Sequence, residues 1–174
     1  MPIINRIAEY QTDMTGWRRY LHENPELGLE CHETAAFVVE RLKEFGVDDV
    51  HTGIATSGVV AIINGQSAGP TIGLRADMDA LPIQEVERPH ASAVPGWMHA
   101  CGHDVHITSL VGTAKLMADR KDQWSGTLML LGQPAEERVA GARVMMEDGL
   151  WDRFGKPDFA MAFHVTSALP TGSL

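Results

Sequence analysis

The densest group of metal-capable side chains in this sequence is His99-Ala-Cys-Gly-His-Asp-Val-His106, in a chain of 174 residues with 8 histidines and 2 cysteines. Packing and helix capping do not account for so many donors in one short stretch. Further candidates recur downstream and upstream: Asp77 and Asp79 in Arg75-Ala-Asp-Met-Asp-Ala-Leu-Pro82, Glu136 and Glu137 in Gly132-Gln-Pro-Ala-Glu-Glu137, and His164 after Phe159-Ala-Met-Ala-Phe163. Taken singly, each has an ordinary reading. An Asp pair caps or turns the chain, adjacent glutamates are solvated charge, Cys101 is a small buried hydrophobe, and His164 is an interior histidine. Taken together, thiolate, imidazole and carboxylate form a borderline-soft donor set that favours zinc or a near neighbour over calcium or magnesium.

The spacing adds chemistry to the donor types. Gly102 lets the backbone bend so that Cys101 and His103 turn toward one centre. Glu136 and Glu137 are adjacent and need not point the same way, so one can hold a metal while the other handles a proton. Water activated by a metal needs such a base beside it. Two other readings stay open at this point. Cys101 lies near a helix N-terminus with histidines close by, as in a cysteine-nucleophile hydrolase. A metal-binding or assembly domain without turnover is the third.

These residues must be carried by regular elements. Ile7, Tyr10, Met14, Trp17 and Leu21 form an amphipathic helical stripe, which Pro25 ends by disfavouring helix at Asn24. A second helix is predicted from about Glu33 to Phe45, with Gly46 as its left-handed cap. Short apolar, β-branched runs predict strands at Gly58–Asn64, Thr71–Ala76, Thr127–Gly132 and Phe159–Phe163. Between them lie predicted helices from about Asp104 to Arg120 and from about Ala140 to Asp148, the latter stopped by Gly149. The stretch from Leu81 to Ala100 has three prolines and no clear period, which predicts a long functional loop. Strands alternating with amphipathic helices give an α/β fold with a mostly parallel sheet flanked by helices. In such sheets ligand sites lie at the carboxyl ends of the strands, and there Asp77, Asp79, Glu136, Glu137 and His164 converge.

Composition narrows the function classes. A net charge of −9, from 14 basic and 23 acidic residues, disfavours nucleic acid, which needs a basic footprint. Two cysteines cannot frame a disulfide scaffold. No apolar run approaches the ~18 residues of a membrane span. The N-terminus lacks a basic start followed by a long apolar core, so a cytoplasmic location is the default expectation. With no repeat, linker or low-complexity tract, residues 1–174 read as one domain.

The motifs also occur together in a known order: Trp17-Arg-Arg-Tyr-Leu-His-Glu-Asn-Pro-Glu-Leu27, Leu74-Arg-Ala-Asp-Met-Asp-Ala-Leu-Pro82, Met98-His-Ala-Cys-Gly-His-Asp-Val-His106, Gln133-Pro-Ala-Glu-Glu137 and Gly141-Ala-Arg-Val-Met-Met-Glu-Asp-Gly149. The set resembles the amidohydrolase branch of the aminoacylase/carboxypeptidase family of dinuclear metallopeptidases, which includes hippurate hydrolases and auxin-conjugate hydrolases. Val165-Thr-Ser-Ala-Leu-Pro170 follows the family pattern only loosely. The resemblance implies that Cys101, His103, Glu137 and His164 are metal ligands, that Glu136 is the general base, and that Asp79 is the aspartate that orients a ligand. Asp77 stands where many relatives carry a ligand histidine. It further implies a zinc-peptidase-like catalytic domain and a pair of divalent ions in the full-length protein (zinc, manganese, cobalt or nickel). The implied substrate is a small N-acyl amino acid, hippurate-like or N-acetylated, cleaved to a free amino acid and a carboxylic acid.

Family members are about twice as long. They carry an inserted lid domain through which they dimerise, then a last part of the catalytic domain with one more ligand histidine. The expectation is therefore an N-terminal part of a catalytic domain without its lid, weak or inactive on its own.

Overall fold

A computed structural model describes residues 5–47, 49–170 and 173; the start of the stretch read as lacking an export signal lies outside the described residues. The stripe that begins at Ile7 forms two helices rather than one, α1 (Asn5–Glu9) and α2 (Gln11–Glu23). The break falls at Tyr10, which is buried and donates its hydroxyl to Asp119 Oδ2 at 2.6 Å, under Lys115 at 5.1 Å from the ring centroid. α2 ends just before Asn24-Pro25, as the proline requires. α3 (His32–Glu44) begins where Glu26 accepts the exposed N–H groups of Glu33 and Thr34 at 3.1 and 2.8 Å, and Gly46 at φ +73° turns the chain away from it.

The sheet has five strands: β1 (Asp49–Ile54), β2 (Gly58–Asn64), β3 (Thr71–Asp77), β4 (Thr127–Gln133) and β5 (Phe159–Ala162), in the spatial order β1-β2-β4-β3-β5. Pairing corrects the expectation of a mostly parallel sheet. β3 runs parallel to both β4 and β5, but β1–β2 and β2–β4 are antiparallel, so the sheet is mixed. β1 was not predicted: Asp-Val-His-Thr-Gly-Ile is mostly exposed at the sheet edge and carries no apolar signal.

Helices cover both faces. Val59, Ala61 and Ile63 of β2 and Leu128 and Leu130 of β4 pack toward α3 and α4 (His103–Ala118), meeting Val38, Leu42, Ile107 and Val111. The alternate residues Val60, Met129 and Leu131 pack the other way, against α5 (Gly141–Glu147) and α6 (Leu150–Phe154) through Met145 and Leu150. Strands buried on both faces read as unbroken apolar runs, which is why β2 and β4 stood out in sequence.

The loop from Leu81 to Ala100 is pinned at its base, where Leu81 and Met98 exchange backbone bonds at 3.0 Å. It is also pinned by a buried charge network. His22 of α2 donates from Nδ1 to Asp104 Oδ2 at 2.8 Å and from Nε2 to the loop's Glu85 Oε1 at 3.0 Å. Two carboxylates on one ring require both ring N–H groups, so His22 is an imidazolium. Arg18 adds a bond to Asp104 Oδ2 at 2.8 Å; Arg88 pairs with Glu85, whose other oxygen accepts the Ser92 N–H at 2.7 Å. The bond to Asp104 raises the His22 pKa against the opposing effect of burial. Burial would raise Glu85, but His22, the Ser92 N–H and Arg88 together bring it to about 2. This network ties α2 and the loop to the first turn of α4, next to His103.

A depressed carboxylate contributes stability that is present above its ordinary pKa and lost as pH falls through the folded value. Glu85→Gln should therefore cost roughly 3–5 kcal/mol near pH 6. The deficit should shrink as pH falls from 4.5 toward about 2. Urea melts of parent and variant across that range read it; a deficit that does not change with pH would show that the ion pair is not its source.

Candidate metal centre

The parallel arrangement of β3, β4 and β5 sends the chain out at one edge of the sheet three times, and the start of α4 abuts the same edge. β3 ends on Asp77, paired in register with Gln133 at the end of β4. Two residues on, Asp79 is buried and reaches across to the turn after β4. Its Oδ1 accepts the N–H of Glu136 at 2.8 Å and its Oδ2 that of Glu137 at 3.1 Å. Ala135, just before them, is buried at φ +54°, a conformation that side chains rarely adopt. The grip of Asp79 on the next two N–H groups holds that turn. Burial raises the Asp79 pKa more than these N–H groups lower it.

Asp79 also orients His103, through its backbone. The ring Nδ1–H of His103 donates to the Asp79 carbonyl at 2.7 Å, while the Asp79 carboxylate comes no nearer than 3.8 Å. Nε2 is left with its lone pair free. That atom is buried and has no hydrogen-bond partner, and the same holds for Glu137 Oε1, 3.7 Å away. Two buried orphan acceptors facing each other cost free energy unless something between them is a cation or a donor. Glu136 Oε2 stands 3.8 Å from the same His103 Nε2, and its side chain is 38% exposed against 20% for Glu137.

His164 follows β5 on an exposed segment. Its Nδ1–H donates to the Val165 carbonyl at 2.6 Å, and its Nε2 faces Cys101 Sγ at 3.3 Å. His103 and His164 thus share one tautomer, proton on Nδ1 and lone pair on Nε2, which is the form an outer hydrogen bond imposes on a metal-binding histidine. Gly102 takes φ +87° and caps α4; a Cβ there would lie 2.5 Å from Val165 Cγ2. The glycine thus serves the bend between Cys101 and His103 and the close approach of the His164 segment.

Cys101 is pushed up to about 11, first by burial and then by the Glu137 carboxylate, with Glu136 and Asp77 adding to it. A nucleophilic thiolate needs the opposite, an electropositive setting, so the surroundings speak against a cysteine-nucleophile hydrolase. An added cation is what this anionic pocket would stabilise. The ligand atoms of Cys101, His103 and His164 lie within 4.8 Å of one another, as do those of His103, Glu136 and Glu137. The donor set and the two orphan atoms fit a divalent cation.

The structure brings together the six residues to which the resemblance gives a role: Asp79, Cys101, His103, Glu136, Glu137 and His164. Two more belong to the site without having been assigned. Asp77 accepts from His106 Nδ1 at 2.6 Å and from Arg75 Nη1 at 2.8 Å; burial would raise its pKa, but His106, His103 and Arg75 together bring it to about 2. His106 lies one helical turn after His103, and that i, i+3 spacing was the available signal. His99, in the same motif, is buried away from the centre with both ring nitrogens unpartnered, and burial lowers it to about 4.

The profile of peptidase family M20/M25/M40 matches residues 73–174. The chain is 46% identical over 162 residues to IAA-amino acid hydrolase ILR1-like 5 of Arabidopsis thaliana, covering 92% of this chain and 36% of that protein. It is 43% identical over 174 residues to the hippurate hydrolase of Campylobacter jejuni, covering 99% and 44%. The crystal structure of the Bacillus subtilis YXEP protein, a dinuclear metal-binding peptidase of the M20 family, superposes with a TM-score of 0.86 at 40% identity over 94% of this chain and 45% of that one. The chain thus spans less than half the length of these relatives.

The site predicts its own loss. The purified chain should take up a divalent metal, and a Cys101→Ala, His103→Ala double variant should take up none by elemental analysis after desalting. Equal stoichiometry in the two proteins would remove the site.

Proposed function

The chain belongs to peptidase family M20/M25/M40, and on that footing we propose that the protein it represents is a metal-dependent amidohydrolase that cleaves the amide bond of N-acyl amino acids. One observation carries the proposal: two buried, unpartnered acceptors, His103 Nε2 and Glu137 Oε1, face each other at 3.7 Å with Cys101 and His164 beside them. We assign Cys101, His103, Glu137 and His164 as ligands. Glu137 turns an oxygen inward and is the more buried of the two glutamates, which suits a ligand. Glu136, more open to solvent, suits a group that meets water and substrate.

A divalent cation held there supplies Lewis acidity, polarising the amide carbonyl and acidifying water. Glu136 takes the proton from the attacking water as its oxygen bonds to the carbonyl carbon, then delivers that proton to the departing nitrogen as the C–N bond breaks. Asp79 acts through the backbone, holding the Glu136–Glu137 turn and the His103 ring at fixed separation. The products are a free amino acid and a carboxylic acid. A mixed set of thiol, imidazole and carboxylate donors accommodates zinc, cobalt or nickel through its sulfur and nitrogen and manganese through its carboxylates, and the dinuclear relative supports two ions in the full-length protein.

The substrate class rests on relatives named for hydrolysing hippurate and IAA-amino acids. β5 exposes Phe159 and Met161 at the sheet edge, an apolar edge that further strands of a longer catalytic domain would cover. On this reading the 174-residue chain binds metal and turns over weakly or not at all. Among the described residues no helix is long and apolar enough to cross a membrane.

In a protein of the relatives' length, Glu136→Gln should keep metal and lower kcat on an N-acyl amino acid by at least ~10²-fold, whereas Glu137→Gln should lose metal. Normal turnover by Glu136→Gln would overturn the base assignment. Robust hydrolysis by the 174-residue chain would overturn the claim that it is insufficient alone.

A further inference from the structure

Asp77, His103 and His106 form a third group of donors within 4.8 Å of one another, and hydrogen-bond accounting shows that it is of another kind. The Val165 N–H points at His106 Nε2 at 3.0 Å. A backbone amide only donates, so Nε2 carries the lone pair and the ring proton sits on Nδ1, where it is given to Asp77 Oδ1 at 2.6 Å. Both nitrogens of His106 are spent, unlike the free Nε2 of His103. The other oxygen of Asp77 accepts from Arg75 at 2.8 Å and lies 3.5 Å from His103 Nε2.

Val165 is thereby held at both ends of its peptide units. Its N–H is on His106, and its carbonyl takes the Nδ1–H of His164 at 2.6 Å. A continuous line of bonds runs from Arg75 and Asp77 at the end of β3, through His106 in the first turn of α4, to Val165 and the His164 ring. The His106 ring packs against both of the others, its centroid 5.4 Å from that of His103 and 4.6 Å from that of His164, which are themselves 6.0 Å apart. His164 itself is exposed and sits beyond the last paired residue of β5, so the sheet does not position it.

We propose that His106 is a positioning residue, and no ligand, whose fixed Nδ1–H tautomer docks the segment after β5 and sets the His164 ring against Cys101 and His103. The proposal rests on the metal-centre reading above for its purpose but not for its geometry. Outer hydrogen-bond partners of this kind typically change metal affinity by 10–100-fold.

The test is ¹⁵N-detected imidazole NMR of the purified chain, first metal-free and then titrated with zinc. Expected is a protonated Nδ1 and an unprotonated Nε2 for His106 in both states, while the Nε2 signals of His103 and His164 move on zinc addition. A metal-free His106 protonated on Nε2 overturns the proposal, as does a His106 Nε2 that shifts with zinc like a ligand. If zinc moves none of the three rings while the His106 tautomer is as stated, the metal-centre reading fails and the docking role stands. His106→Phe should then weaken zinc binding by about 10–100-fold, and His106→Asn, which keeps a donor toward Asp77, should recover part of that loss. Equal zinc affinity in parent and a folded His106→Phe would also overturn the proposal.

Discussion

The hydrogen bonds of Asp79 are the constraint on which the site depends. Three oxygens of this one residue hold three groups: the carboxylate takes the N–H of Glu136 and of Glu137, and the carbonyl takes the ring N–H of His103. The separation of the glutamate pair from the histidine is therefore fixed through a few bonds in one residue. Packing between distant elements would leave it far looser. Charge-assisted bonds to backbone N–H are among the stronger kinds, and here they also hold Ala135 at its unfavourable φ of +54°. Asp79 thus orients the His103 ring by its main chain and the turn that carries Glu137 by its side chain.

What lets Asp79 reach that turn is the parallel alignment of β3 and β4, which puts Asp77 beside Gln133 and so brings the two chain exits side by side. β5, parallel on the other flank of β3, delivers His164 to the same edge. The antiparallel strands contribute differently. β1 and β2 place no residue in the site; β2 presents apolar side chains to both faces and, with β4, makes the slab on which α4 and α5 are mounted. Gly141 belongs to that mounting: a Cβ on it would collide with the carbonyl of Pro134, so α5 can start hard against the turn that leads to Glu136.

The donors were legible in sequence because chemistry-bearing residues cluster after apolar runs, and apolar runs in a sheet buried on both faces are unmistakable. Strand direction was not legible. A β-branched run looks the same whichever way it is paired, and β2 is antiparallel to β4 through a contact far away in the chain. β1 was missed because an edge strand can be Asp-Val-His-Thr-Gly-Ile and still pair, and its hairpin turns on Ala55 and Thr56 at positive φ rather than on the glycine or asparagine such turns favour. The helix break at Tyr10 depends on Asp119 and Lys115, over a hundred residues later. The bonds through which Asp79 and His106 act were out of reach for a related reason: most run through backbone groups, the N–H of Glu136, Glu137 and Val165 and the carbonyl of Asp79, which every residue has and no motif marks.

The histidines show how much the same side chain owes to its partners. His22, between two carboxylates, is held as a cation and serves as a structural tie. His106, between a carboxylate and an amide N–H, is held as one neutral tautomer with no free atom. His103 and His164 give their Nδ1–H to carbonyls and turn Nε2 inward, unpartnered in His103 and facing Cys101 Sγ in His164. His99, within the same short motif, has no hydrogen-bond partner on its ring and is driven by burial toward the neutral form. Donor density in the sequence therefore marks the neighbourhood of the centre, and the acceptor each Nδ1 finds decides which rings face it. The helix makes that sorting sharp: His103 and Asp104 are consecutive at the start of α4, so they point in different directions, one toward the acidic pocket and the other toward the His22 network. With Asp77, Asp79, Glu136 and Glu137 on one side of that turn and a cation bound among Asp104 and Glu85 on the other, the two sides carry unlike charge balances. Only the pocket side holds carboxylates in excess of their partners, and that excess is what an added divalent ion would neutralise.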